Sequence, residues 1–299
     1  MSETCEYLGL PNCVRLDNGS VEVVVATTIG PRILRYALLG GENIFGEHPE
    51  ISQQTDLGEW KPWGGHRLWA APEVLPGSYA PDNNPVPYQV DGLSVTLTQE
   101  KNAAGIGKTL TLTLSDHDTF ADVLHTITNR TDSPVTLAPW AISVMPGGGT
   151  GILPQEPRAT HEEAIEPARP LVLWHYTSLT DDRLRLGDRF IRLRTNESKP
   201  QPQKIGVGNR QGWAAYYRNE VLFVKRFAYQ NGATYPDFGC NNEMYVAGAF
   251  FELETLGPLV TLQPGESTEH AERWELHPRF MLDSDDETIY RRLNAMEIT

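Results

Sequence analysis

The chain has 299 residues, within reach of a single large all-β domain, and 39% are hydrophobic, which supports a sizeable core and argues against general disorder. A net charge of −14 sets it against phosphate backbones and anionic lipid, so neither nucleic acid nor a membrane is expected as a partner. Cys5, Cys13 and Cys240 are an odd set without CxxC or Cys/His metal spacing, so no disulfide framework, zinc site or cofactor is expected.

The N-terminus, MSETCEYLGLPNCVRLDNGS, has no basic start followed by an apolar run. No segment approaches the ~18–20 apolar residues of a membrane helix. The expectation is a soluble, cytoplasmic protein. Runs with a period of two then recur along the chain: VEVVVATT (21–28), LSVTLTQ (93–99), TLTLTLS (109–115), ADVLHTITN (121–129) and PVTLAPWAISV (134–144). RFIRLRT (189–195), GWAAYYR (212–218), VLFVKRFAY (221–229) and AGAFFELETL (247–256) continue the pattern. Turn signals such as DNG (17–19) and QPGES (263–267) separate them, the spacing of a sandwich or barrel. Helical periodicity is confined to SDDETIYRRLNAM (284–296), with Ser284 or Asp285 as cap. No linker divides the chain, so residues 1–299 read as one domain.

Several stretches carry chemistry. In WGGHRLWAAPE (63–73), Gly64 and Gly65 let the backbone approach something closely, and His66, Arg67 and Trp69 follow. Flat rings beside a few polar groups suit a sugar, and the same residues also suit a packed core with His66 capping a turn. PGGGTG (146–151) lacks the GK[ST] of a phosphate loop and reads as a flexible turn. Lys225 and Arg226 point to opposite faces of their strand, so one of them can reach a site. In YPDFGCNNEMYVAGAF (235–250), Asp237, Asn241, Asn242 and Glu243 can bind hydroxyls, hold a calcium ion, or serve as turn formers.

GAFFELETL sets Ala249, Phe251, Leu253 and Thr255 on one face and Phe250, Glu252, Glu254 and Leu256 on the other. If the first face fills the core, both carboxylates share the opposite one, about 7 Å apart. Beside Phe250 and Leu256 a carboxylate is partly desolvated and its pKa rises toward that of a general base. The plain alternative is a solvated polar face.

The segment ELETLGPLVTLQPGESTEHAERWEL resembles the C-terminal part of the galactose mutarotase (aldose 1-epimerase) superfamily, with its Leu-Glu-Thr strand, PGE turn and final aromatic strand. GGHRLWAAPE is similar to the glycine and Trp-Pro segment of the hexose-6-phosphate mutarotase branch, and TITNRTDSPVTLAPW to the superfamily's hairpin. The resemblance covers nearly the whole chain. It implies an all-β, galactose-mutarotase-like antiparallel β-supersandwich with a short C-terminal helix and a sugar site on its concave face. The family's catalytic glutamate maps onto Glu254, which takes the anomeric proton, and His66 is the matching acid. Arg67, Trp69, Trp140, Asp237, Asn241, Glu243, Glu252 and Lys225 are the expected substrate contacts.

The family's second histidine is missing. Its place holds PWAISVMPGG, with Trp140 and no histidine, so His66, His161 or His175 supplies the acid, or there is no mutarotation. The reading is therefore a carbohydrate-binding protein that mutarotates or epimerises a free or phosphorylated sugar, with a non-catalytic sugar binder as the alternative. Glycoside hydrolysis or lyase chemistry ranks last, because two carboxylates on one strand do not flank a bond from opposite sides.

Overall fold

The threonine–leucine alternation at 109–115 shows how the strands form. Leu110, Leu112 and Leu114 are buried in the main core, while Thr111 and Thr113 face outward and meet Thr96 and Ser94 across the strand pair. Leu10, Val24, Ala26, Ile29 and Leu34 form a second cluster, behind Val21, Val23 and Val25 of the main core. This is why the stretch 23–26 is apolar on both sides and does not alternate.

Residues 2–299 are described in the structure, a computed structural model. Two antiparallel sheets enclose the main core. The first runs in spatial order through Ser2–Tyr7, Leu10–Asp17, Val21–Ala26, Arg32–Leu38 and His66–Ala71. It continues through Val135–Met145, Phe250–Leu256, Asn242–Ala247, Gln203–Val207 and Leu171–Leu173, with Val260–Leu262 beside Val135–Met145. The second runs through Tyr88–Asp91, Ser94–Gln99, Ile106–Leu114, Phe120–Asn129 and Ser267–Pro278. Val221–Phe227, Trp213–Arg218, Thr150–Pro154, Phe190–Arg194 and Leu184–Leu186 complete it.

The expected all-β architecture and the C-terminal helix are both present. Asp286–Ala295 is capped by the Asp285 carboxylate, which accepts from the Thr288 N–H at 2.8 Å. Its Ile289 and Leu293 pack with Trp213 and Phe190 on the outer side of the second sheet. The glycine run at 146–151 is not wholly a turn, because Thr150 and Gly151 open a strand of the second sheet. Asp237 and Phe238 take left-handed backbone angles, φ 48° and 58°, and form a tight turn before Asn242–Ala247. Among the described residues, no helix is long and apolar enough to cross a membrane.

Candidate ligand-binding site

Five neighbouring strands of the first sheet carry the site on the face turned away from the second sheet. Register fixes which residues share that face. Ile142 lies between Arg67 and Glu254, and Glu254 lies opposite Glu243. Trp140 pairs with Trp69, Glu252 with Tyr245, and Tyr245 with Lys204. On strand Phe250–Leu256 the opposite parity, Phe251, Leu253 and Thr255, is fully buried between the sheets. The two glutamates therefore point outward together, as alternation predicts.

Above them is a cavity of about 630 Å³, walled by aromatic rings that include Trp60, Trp69, Tyr79, Trp140, Trp174, Tyr176 and Tyr245. Two cations sit among these rings. The Arg67 guanidinium lies 4.7 Å from the Trp69 ring and 5.8 Å from that of Trp60, and donates to Glu252 Oε1 at 2.7 Å. The Lys204 ammonium lies 4.9 Å from the Trp140 ring and 4.7 Å from that of Trp174. It also reaches Glu243 Oε2 at 2.8 Å and Glu254 Oε2 at 3.0 Å. Gly206 makes room for Trp174, since a Cβ there would come within 3.1 Å of the ring.

Burial and charge divide the carboxyls. Burial raises Glu243 well above the usual carboxylate range, Lys204 only partly offsets this, and Glu254 across the strand pair adds to it. Glu252 is raised by burial despite Arg67. Burial works against the Lys204 ammonium, but Glu243 and Glu254 outweigh it and carry its pKa well above the ordinary value. Glu254 is fully buried; Trp140 Nε1 donates to its Oε2 at 2.8 Å, and its Oε1 has no partner. Arg67 Nε and Nη1 and Glu243 Oε1 are likewise buried without a hydrogen bond.

The expected residues fall into two groups. Arg67, Trp69, Trp140, Glu252, Glu254 and Glu243 come together, and Asp237 is near enough for Lys204 to oppose the rise that burial gives its carboxyl. Asn241 is not in the cavity wall: its side chain accepts from the Asn209 N–H at 2.6 Å and donates to the Asn209 carbonyl at 2.8 Å. With Asn242 also bonded to Asn209, and Lys204 set against Glu243, the oxygens of residues 237–243 do not converge on a calcium position.

His66 and Lys225 are the larger correction. Both point into the sandwich interior, and His66 shares no hollow with Glu254. His66 and Arg67 are adjacent in a strand, so they face opposite sides. Gly64 and Gly65 approach backbone and not a ligand, since a Cβ would lie 1.9 Å from the Gly46 oxygen or 2.2 Å from that of Ile33.

The interior set is closed. His125 Nδ1 lies 2.8 Å from the His270 carbonyl and must donate to it. His125 Nε2 therefore accepts from His66 Nε2–H at 2.7 Å, and His66 Nδ1 accepts from the Ser143 hydroxyl at 2.8 Å. Burial depresses all three imidazoles, His270 to about 4, so they are neutral near pH 7. Burial alone would raise Glu272, yet Lys225 at 2.9 Å and the imidazoles hold it at about 2. Trp274 Nε1 donates to its other oxygen at 2.7 Å. Ligand atoms of His66, His125 and Glu272 lie within 4.8 Å of one another, the spacing of a metal site, but each already has a hydrogen-bond or ion-pair partner.

Sequence reasoning missed Lys204, Trp174, Tyr176 and Tyr245. The prolines of ESKPQPQK (197–204) mark a loop, which hides the start of strand Gln203–Val207, and LVLWHYTSLT (171–180) shows too little alternation to place its rings.

Solved structures share this fold at low identity. A galactose mutarotase-like protein from Lactobacillus casei matches with a TM-score of 0.57 and 13% identity, over 89% of this chain and 100% of that one. The Slr1438 protein of Synechocystis sp. gives 0.57 and 11%, over 93% and 99%. A galactose mutarotase-like protein from Clostridium acetobutylicum gives 0.53 and 10%, over 93% and 98%. No protein-family model matches the chain, and no curated protein matches it. The architecture is thus galactose-mutarotase-like, as the C-terminal segment implied.

Proposed function

We propose that the chain binds a carbohydrate in the cavity over Trp69, Trp140 and Lys204. The observation that carries this reading is the combination of ring faces with an Arg67 in the cavity wall whose buried Nε and Nη1 lack partners, beside the orphaned Glu254 Oε1 and Glu243 Oε1 around Lys204. Burying such groups without partners is costly, and a polyhydroxylated ligand supplies partners while its C–H faces stack on indole. The cavity volume lies within the usual range for small-molecule sites. The shared fold with mutarotase-like proteins supports the same reading.

Calorimetric titration of glucose and galactose tests it. Saturable binding is expected, and Arg67→Ala should weaken it by roughly ten- to a hundredfold, the value of hydrogen bonds to a charged group. Absence of saturable binding with any monosaccharide would sink the proposal.

Turnover is a second reading, favoured by one observation. Burial holds a proton on Glu243 more tightly than on an ordinary carboxylic acid, and Glu243 stands opposite Glu254 on the neighbouring strand, so the two carboxyls can divide the roles of acid and base. Glu254 then takes the anomeric proton and Glu243 protonates the ring oxygen, with no histidine required. Optical rotation of fresh α-glucose and α-galactose decides this: equal rates with wild type and Glu254→Gln leave binding without catalysis.

A further inference from the structure

A second cavity, of about 280 Å³, opens beside the loop that follows strand His66–Ala71. Its walls are mainly apolar, formed by Ala70, Ala71, Ile106, Val135 and Leu137 with Ser78, Asn102 and Thr136 among them, and one cationic side chain, Lys108, lines it. Lys108 is only 8% exposed. It lies on the inner side of strand Ile106–Leu114, in line with Leu110, and no hydrogen bond or ion pair holds its ammonium. Every other lysine buried to this degree, Lys204 and Lys225, is paired with glutamate. Asp82 is the nearby anion, and it is engaged elsewhere: its Oδ2 accepts from Arg32 at 2.7 Å, while its Oδ1 is buried without a partner.

We infer that this cavity is a binding site for a small apolar aldehyde or ketone, which Lys108 captures through its amino nitrogen as an imine. A lysine without an ion-pair partner in mainly apolar surroundings acts as a nucleophile. Burial brings the Lys108 pKa down to about 8, opposed in part by Asp82, so free amine is present near neutral pH. Its lone pair attacks the carbonyl carbon and a C–N bond forms. The carbonyl oxygen takes up a proton, and the resulting carbinolamine loses water to leave C=N. Amine and carbonyl give imine and water, with no oxidant or reductant consumed. Apolar walls select a compact apolar carbonyl compound over a sugar, so this site is separate from the cavity over Trp69.

The test treats the whole chain with benzaldehyde and sodium cyanoborohydride and maps the reduced adducts by peptide mass analysis. Lys108 should be labelled about tenfold or more faster than the exposed Lys101 of the same molecules, with a rate that rises through a midpoint near pH 8. Because both lysines are read in one wild-type sample, the result does not depend on a variant folding. Lys108→Met, checked for a wild-type circular dichroism spectrum, should lose the fast adduct only. Even labelling of all lysines, or an untouched Lys108, overturns the inference.

Discussion

Lys225 and Lys204 are both buried ammonium groups beside glutamates, and they are held in opposite ways. Lys225 sits between the sheets, where Glu272, Trp274, Thr255 and the three imidazoles form hydrogen bonds and ion pairs that leave none of their fully buried side-chain atoms without a partner. Lys204 sits on the outer face of the first sheet, between two indoles and two carboxyls, with orphaned oxygens on Glu243 and Glu254 beside it. A closed set serves the fold, because every group is satisfied by the protein itself. An open set is stable enough to persist and still needs something from outside, which is the physical mark of a binding site.

The largest test of this contrast is Lys225→Met. It strands a buried Glu272 carboxylate, and urea unfolding should show a loss of about 3–5 kcal/mol. A change within experimental error would mean that the interior set does not hold the sheets together. Acid is the next test. His270 has a folded pKa of about 4 against an ordinary 6.5, so the unfolded chain binds its proton first, and stability falls as pH drops through that window. The expected loss is about 3 kcal/mol, and Glu272 adds to it as pH falls from 4.5 toward about 2. Unfolding midpoints that stay flat from about pH 7 to pH 4 would remove the neutral imidazoles from the account.

The smallest effect belongs to the outer face. Glu243 is raised, so the folded chain holds a proton that the unfolded chain releases, and stability declines as pH climbs above 4.5. Glu243→Gln imitates the protonated acid. It should change stability by no more than about 1 kcal/mol at pH 5 and abolish the decline at higher pH. Parallel pH curves for wild type and variant would show that Glu243 is ionised and that the outer set is closed by charge.

Alternation made Glu252 and Glu254 legible as an outward pair, because Phe251 and Leu253 beside them are unmistakably core. The same rule applied to HRLW would have sent His66 inward with Leu68 and Arg67 outward with Trp69. Two preceding glycines interrupt the alternation there, so parity could not be carried across from a recognised strand. Lys204 was invisible for a different reason. A single lysine after a proline-rich stretch carries no signal, and its role depends on Glu243 and Glu254, 39 and 50 positions further along the chain. Local pattern found the carboxylates; only the sheet could reveal what they hold.

Strand order has a consequence for assembly. Arg67 and Glu252, which meet across the cavity, are 185 positions apart in the chain, and the strand between them in space, Val135–Met145, comes from a third stretch. No excised fragment can therefore carry the cavity, and its capacity to take up a ligand should appear only in the last, slowest stage of refolding, when distant segments close against one another. Ligand uptake during renaturation would act as a clock for completion of the sheet.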